Sequence, residues 1–480
     1  MKKFLLFVSL LWVIERSFGQ VQEYSLVQIV ELARSQSLAS KQAATEKKTN
    51  YWQFRSFQAD FKPQLALNGT LPGFTRSFVE VVQPDGTVAF QQVSNNNSQL
   101  NLALSQNIGL TGGTVFVQQQ LQRFDDFARK NTRYNGVPFA VGLIQPLFRF
   151  NQMKWDRKIE PLKFQEGNQR YVGRLEEVSL QATSLFFDLL VAQVNQQMAQ
   201  KNKENSDTLF KIAEERLTLG KISQSDLLQL QMGLLTAQKD AASAGQAVEV
   251  ATLRLKMYLG LRHEEAIRLD IPKEAPQFAI DPRQALDEAF ANRADAIGFR
   301  RRLLEAELET QRAIRENGLN AALEATFGLS NQGSRPQDVY INPQDREFVQ
   351  LQFVLPIMTW GRNKARTEIA KANQEFAQQA VEQDKLTFEQ EIFTQVTLLQ
   401  MLQKQAQLTR LTDGIAANRY QIAQERFVLG NLSVTDLGIA MQEKDRARRD
   451  YILALRDYWQ SYFTLRLYTL YDFEKKQKLN

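Results

Sequence analysis

Apolar residues follow two rhythms along this chain. Over 162–271 and 357–480 they recur at helical spacing, as in Val178, Leu185, Phe186, Leu189 and Val194, and again in Ile392, Val396, Leu399, Leu402, Leu408 and Leu411. Such stripes predict long amphipathic helices with coiled-coil or bundle seams. None of the twelve prolines falls in either run, and a proline inside a helix costs roughly 3 kcal/mol. Helices of roughly 100 Å are therefore expected over about 152–219 and 362–429. Shorter ones are expected over about 24–58 and 282–317.

The second rhythm has period two, the strand signal. It runs through Leu65, Leu67 and Leu71, then Leu100, Leu102 and Leu104, then Val115 and Val117, then Phe139, Val141 and Leu143. It returns in Leu323, Ala325, Phe327 and Leu329 and in Val349, Leu351, Phe353 and Leu355. The opposite faces carry Gln, Asn, Ser, Thr, Gly and Glu. A membrane barrel wall needs this alternation, and so does a half-buried sheet of a soluble domain. The strands alone leave both open.

One phrase occurs twice. IAEERLTLGKISQSDLL at 212–228 matches IAQERFVLGNLSVTDLG at 422–438 in nine of seventeen places, 210 positions apart. Gly220 and Gly430 suit the left-handed end of a helix, and Arg216 and Arg426 suit its negative pole. Ser223 with Asp226, and Ser433 with Asp436, form capping-box patterns that restart a helix. Each phrase thus predicts stop, short turn and restart, an antiparallel helical hairpin. The two aspartates have a second reading, as carboxylates around an opening. At the same offset, QPLFRFNQMK (145–154) aligns with LPIMTWGRNK (355–364), matching Pro146 with Pro356 and Phe150 with Trp360. Two repeats result, 20–272 and 273–480. Each runs helix, strands (about 61–148 or 321–357), long helix, turn near 220 or 430, helix.

Composition narrows the function. The net charge is +6 with acids and bases interleaved, so no nucleic-acid surface is expected. Residues 1–19 read as a secretory signal peptide, with Lys2 and Lys3, an apolar stretch Phe4–Ile14 and small residues before Gln20. No later window is apolar enough for a transmembrane helix. With no cysteine and a single histidine, His263, thiol chemistry and a zinc site of His or Cys ligands are excluded. No phosphate-binding glycine loop occurs. No catalytic residue, metal or cofactor is expected.

The ordered set of signal peptide, tandem repeat, QPLF and LPIMTWG joints, and ERLTLGKISQSDLL with ERFVLGNLSVTDL resembles the TolC family of outer-membrane channel proteins. The resemblance covers nearly the whole chain. It implies a mainly α fold with a membrane β-barrel part. Tandem long helical hairpins form a trimeric α-barrel, and four strands per subunit enter a shared 12-stranded β-barrel. It further implies a homotrimer in the outer membrane of a Gram-negative bacterium, in contact with lipid and with a long periplasmic part. Its tips would dock a periplasmic adaptor and an inner-membrane transporter, for efflux or type I secretion. Independently of the family, four to six strands cannot close a membrane barrel in one chain.

The resemblance also assigns site residues. Arg216, Gly220, Ser223, Asp226, Arg426, Phe427, Gly430, Leu432, Ser433 and Asp436 would form the periplasmic tip and aperture. Pro146, Phe150, Pro356, Trp360 and Gly361 would form the strand-to-helix joints. Two departures stand out. Phe427 and Leu432 occupy the places of the tyrosine and arginine that, with the counterpart of Asp226, latch the family's tip, so closure by apolar packing is expected instead. A further ring aspartate of the family would fall at Ile439. Residues 61–148 also hold up to four alternating segments where two are needed, with a hairpin turn at Leu110–Thr114. The competing readings are a periplasmic coiled-coil adaptor and a structural envelope protein.

Overall fold

The computed structural model describes residues 22–261, 267–272, 276 and 278–480. The expected signal peptide and His263 lie outside them. Strand β1 (Gln22–Tyr24) leads into helices α1 (Leu26–Gln36) and α2 (Leu38–Ala59). Strands β2 (Gln64–Thr70), β3 (Phe74–Val82), β4 (Val88–Ile108), β5 (Gly113–Asp126) and β6 (Asn131–Leu147) follow. Helices α3 (Gln152–Thr218) and α4 (Gln224–Leu259) and strand β7 (Ile267–Leu269) complete the first half. The second half holds α5 (Pro282–Asn292), α6 (Ala294–Glu316), β8 (Asn320–Gly333), β9 (Gln344–Val354), α7 (Arg362–Val428) and α8 (Val434–Thr469). It ends in the two-residue strands β10 (Tyr471–Asp472) and β11 (Gln477–Lys478).

Helix lengths match across the halves. Both long helices have 67 residues and both helices after the turn have 36. Each expected shorter helix is split in two. The backbone turns extended at Ser37 and Arg293, and Ser37 accepts a bond from the Ser40 N–H to restart α2. Pro161 is the tenth residue of α3. There it removes one hydrogen bond without ending the helix.

Contacts divide the chain into two compact units, each drawing on both halves of the sequence. The first comprises residues up to Lys48, Gly167–Ala296 and Lys385–Asn480. Its core holds Phe186, Leu189, Leu255, Ile392, Ile452, Leu455 and Leu465, all fully buried, and each such side chain contributes about 1.5–3 kcal/mol of burial. Gln193 donates to the Ile267 carbonyl and accepts from the Leu269 N–H, fixing β7, which pairs parallel with β1. Gln403, 210 positions on, donates to the Pro276 carbonyl. Glu176 is fully buried between Arg34 at 2.8 Å and Arg466 at 3.0 Å. Arg466 also bonds Asp472, whose carboxylate accepts from the Tyr462 hydroxyl. Burial pushes the Tyr462 phenol far above its ordinary range.

The second unit comprises Thr49–Glu166 and Ile297–Asp384. Its helical part is held by Trp155, Ile159 and Leu308 with Phe150 and Leu304, and by Phe54 stacked on Phe164. Arg301 grips the buried Glu166 carboxylate. One antiparallel sheet joins β2, β4, β5, β6, β8 and β9 in that order, with β3 on β4. Strand β2 pairs with Gln99–Ser105 and β3 with Val88–Asn96, end to end along β4. The seven strands therefore fill six positions.

The resemblance implies four strands per subunit, and this count is exceeded by the β5–β6 hairpin. The excess has a local cause. At 109–112 the chain reverses, with Gly112 at φ +76° and its N–H bonded to the Ile108 carbonyl at 2.8 Å. The register then places Leu104 beside Val117, Val117 beside Val141, and Val141 beside Phe327. Alternation runs through the added strands at Val115 and Val117 and at Phe139, Val141 and Leu143, with a register shift between Gln118 and Gln120. Strand β3 and the Asn-rich part of β4 carry no regular period-two apolar signal, and pairing with each other, and of Asn95–Asn97 with β5, makes them strands.

Candidate functional site: two helix reversals and two strand-to-helix joints

Both reversals lie in the first unit and close their long helix with the same pair of backbone bonds, while the reciprocal capping box is complete at Ser223 and Asp226 and Ser433 makes the side-chain half of it. At the end of α3, Gly220 takes φ +67°, its N–H bonds the Leu217 carbonyl at 2.9 Å, and the Lys221 N–H bonds the Arg216 carbonyl at 2.9 Å. At the end of α7, Gly430 takes φ +84°, its N–H bonds Phe427 at 2.9 Å, and the Asn431 N–H bonds Arg426 at 2.9 Å. This is the paired closure that satisfies a helix's last carbonyls. Each next helix starts at serine. Ser223 Oγ accepts from the Asp226 N–H at 3.1 Å, and Asp226 accepts from the Ser223 N–H at 3.1 Å and from its hydroxyl at 2.8 Å. Ser433 Oγ accepts from the Asp436 N–H at 3.0 Å and donates to its carboxylate at 2.6 Å.

The Ser223 hydroxyl and then its N–H hold the Asp226 carboxyl below its ordinary range. Asp226 thus gives its described hydrogen bonds to capping. Asp436 is exposed at the start of α8.

Side chains distinguish the two turns. Phe427 is buried with Tyr420, Ala423, Leu437 and Ala440, and Leu432, Val434, Leu209 and Met441 pack against them. Arg216 donates to the Val428 carbonyl at 3.0 Å, and its guanidinium lies 5.5 Å from the centre of the Phe427 ring. One arginine of the first repeat therefore caps the last turn of α7 and covers its aromatic. Arg426, its repeat partner, is exposed. Deeper along the same helices, Asn205 donates to the Tyr420 hydroxyl at 3.2 Å and Lys444 lies 4.4 Å from that ring.

The joints belong to the second unit, and here the repeats diverge. Pro146 closes β6 beside Ala322. Phe150 packs on the Trp155–Leu308 cluster with Arg312 at 5.2 Å from its ring. In the other repeat, Pro356 precedes Trp360 (φ +51°) and Gly361 (φ +85°), and Trp360 is 91 % exposed. Asn151 was not singled out by sequence reasoning. It accepts from the Lys154 N–H at 3.1 Å to start α3, and donates to the Gly109 and Leu110 carbonyls at 3.3 and 3.0 Å. It clamps the turn of the added hairpin. The available signal was the repeat itself, since Gly361 stands 210 positions on.

The fold, long helices with one antiparallel sheet, is shared by solved structures. The Campylobacter jejuni CmeC outer membrane channel matches with TM-score 0.67 at 16% identity, covering 92% of this chain and 85% of that one. The Vibrio cholerae outer membrane protein VceC matches with TM-score 0.60 at 16% identity, covering 93% and 95%. The open state of the Neisseria gonorrhoeae MtrE outer membrane channel matches with TM-score 0.61 at 15% identity, covering 92% and 88%. Residues 295–469 match the sequence model of the family described as outer membrane efflux protein. The resemblance to TolC-family channels is borne out by both. Among curated proteins, none matches the sequence.

Proposed function

We propose that the protein is an outer-membrane channel-tunnel that passively conducts substrates delivered by an inner-membrane pump and a periplasmic adaptor, in efflux or type I secretion. One observation carries the reading. The sheet leaves its apolar face open, with Leu65, Leu104, Val141 and Phe327 in one cross-strand row and all exposed. A soluble sheet would bury such a face, whereas a barrel wall turns it to lipid.

The helices support an oligomer. Met401, Leu408, Ile415 and Ile422 follow one another at seven-residue steps on α7, and Leu429, one further step on, lies just past its end; each is more than half exposed. On α4, Leu228, Met232 and Leu235 are likewise exposed at heptad-like spacing. Two unpartnered seams in one chain suit a homotrimer whose helices pack between subunits. The turns at Gly220 and Gly430, with Ser223, Ser433, Asp226 and Asp436, are then the adaptor-docking mouth, and Phe427 with Leu432 closes it by apolar packing.

Purified protein should need detergent to leave the membrane, run as a trimer, and conduct ions in planar bilayers. A detergent-independent soluble protein without conductance would overturn the reading.

A further inference from the structure

We propose that all six strand positions of the sheet cross the membrane, so that three copies close a single 18-stranded barrel. The inference rests on the channel reading above and concerns the barrel's width.

The β5–β6 hairpin is built like the strands around it. Its strands have 14 and 17 residues, against the 9–11 needed to span the hydrocarbon core. β4, β8 and β9 have 21, 14 and 11 residues, while β2 and β3 supply seven and nine in one position. The hairpin's apolar face is in register with its neighbours. Val115 lies beside Leu143, Leu143 beside Ala325, and Ala325 beside Val349. The opposite face carries Gln118, Gln120 and Gln122, continuing the Asn101 and Gln99 positions of β4. Apolar outside and polar inside thus run through most of β5 and β6, interrupted by Gln119 beside Leu102 and by a register shift between Gln118 and Gln120. A hairpin folded away from the wall would instead leave β4 and β8 without their partners β5 and β6 in lipid.

The hairpin's helix-side turn is fixed. Asn151 donates to its backbone, Gln145 donates to the Thr111 carbonyl at 3.2 Å, and Asn107 donates to the Asp60 carbonyl at 3.2 Å. Six is an even number, so β2–β3 and β9, the two open edges, run in opposite directions. The edge of one copy therefore meets the next in the antiparallel sense used throughout the sheet, and three copies close without a parallel joint.

With strands about 4.8 Å apart and tilted about 40°, twelve strands give a backbone diameter of about 24 Å and eighteen about 36 Å. The outer-membrane end is then half again as wide as a 12-stranded one.

The chain has no cysteine, so single-cysteine variants need no background removal. Val141→Cys and Val117→Cys on the hairpin would be compared with Leu102→Cys and Leu351→Cys in the full-length protein. Each would carry an environment-sensitive fluorophore in vesicles of ordinary or brominated phosphatidylcholine. All four are expected to be quenched by brominated lipid to within about twofold of one another, and electron microscopy of the trimer in nanodiscs should count eighteen strands. Quenching at Leu102 and Leu351 but not at either hairpin site, or a count of twelve, overturns the proposal and leaves the channel reading intact. Quenching at none of the four overturns both.

Discussion

The two helix reversals and the two strand-to-helix joints began from the same duplicated sequence and have diverged to different degrees. The reversals keep a common backbone. Gly220 and Gly430 take the same left-handed conformation, and the bonds to Arg216 and Arg426 have the same length. The joints do not. Phe150 packs into a cluster while Trp360 is exposed, and Asn151 holds a hairpin turn where its repeat partner is Gly361. A turn made by short-range hydrogen bonds survives duplication because nothing distant has to match it. A joint that carries different neighbours in each half drifts with them.

Four changes sharpen that contrast. The largest effect is expected away from both features, at Glu176, whose repeat partner 210 positions on is the exposed Leu386. Glu176→Ala takes the shared buried carboxylate from Arg34 and leaves Arg466 with Asp472, and should cost about 3 kcal/mol in denaturant unfolding of the detergent-solubilised protein. A loss below about 1 kcal/mol would show that this ion cluster does not anchor the unit.

Next come the tips. Phe427→Ala should cost about 3 kcal/mol and raise single-channel conductance, with a smaller rise for Leu432→Ala. Leu217→Ala, at the matching place of the first repeat, should do less of both. Unchanged conductance in F427A and L432A would sink closure by apolar packing.

Gly220→Ala and Gly430→Ala should each cost about 1–2 kcal/mol through the left-handed conformation alone. Equal losses by hydrogen exchange across the turns would mark the backbone as the shared element. A loss at only one would mean that side chains set that turn.

The smallest effect is at the caps. Ser223→Ala should cost about 1 kcal/mol and let Asp226 titrate nearer its ordinary value. Because the Asp226 carboxyl sits lower in the folded turn, its contribution is present above the unfolded carboxylate's pKa. It fades as pH falls through the lower folded value. Hydrogen exchange at the start of α4, corrected for intrinsic rates, should quicken on that acid side. Protection independent of pH below 4 would refute the linkage.

Much of this molecule was legible in its sequence. Proline spacing and apolar periodicity located the 67-residue helices, because helix formation answers to residues three and four apart. Gly220 with Ser223 and Asp226 spelled out the reversal, since cap chemistry is local. The splits at Ser37 and Arg293 escaped because neither position breaks the apolar stripe. Strand β3 and the segment Ser94–Asn97 escaped because they carry polar residues on both faces.

The sequence by itself determined the helix periods, the reversals and the alternation of the strands, all of which depend on neighbours within a few positions. Tertiary structure alone decided how many strands share the sheet, that Asn151 clamps the turn at 109–112, and that Arg216 caps the helix ending at Val428. Those contacts join residues 41 and 212 positions apart. Such pairs are selected by the packing of whole elements, and no local pattern records which distant backbone a side chain will reach.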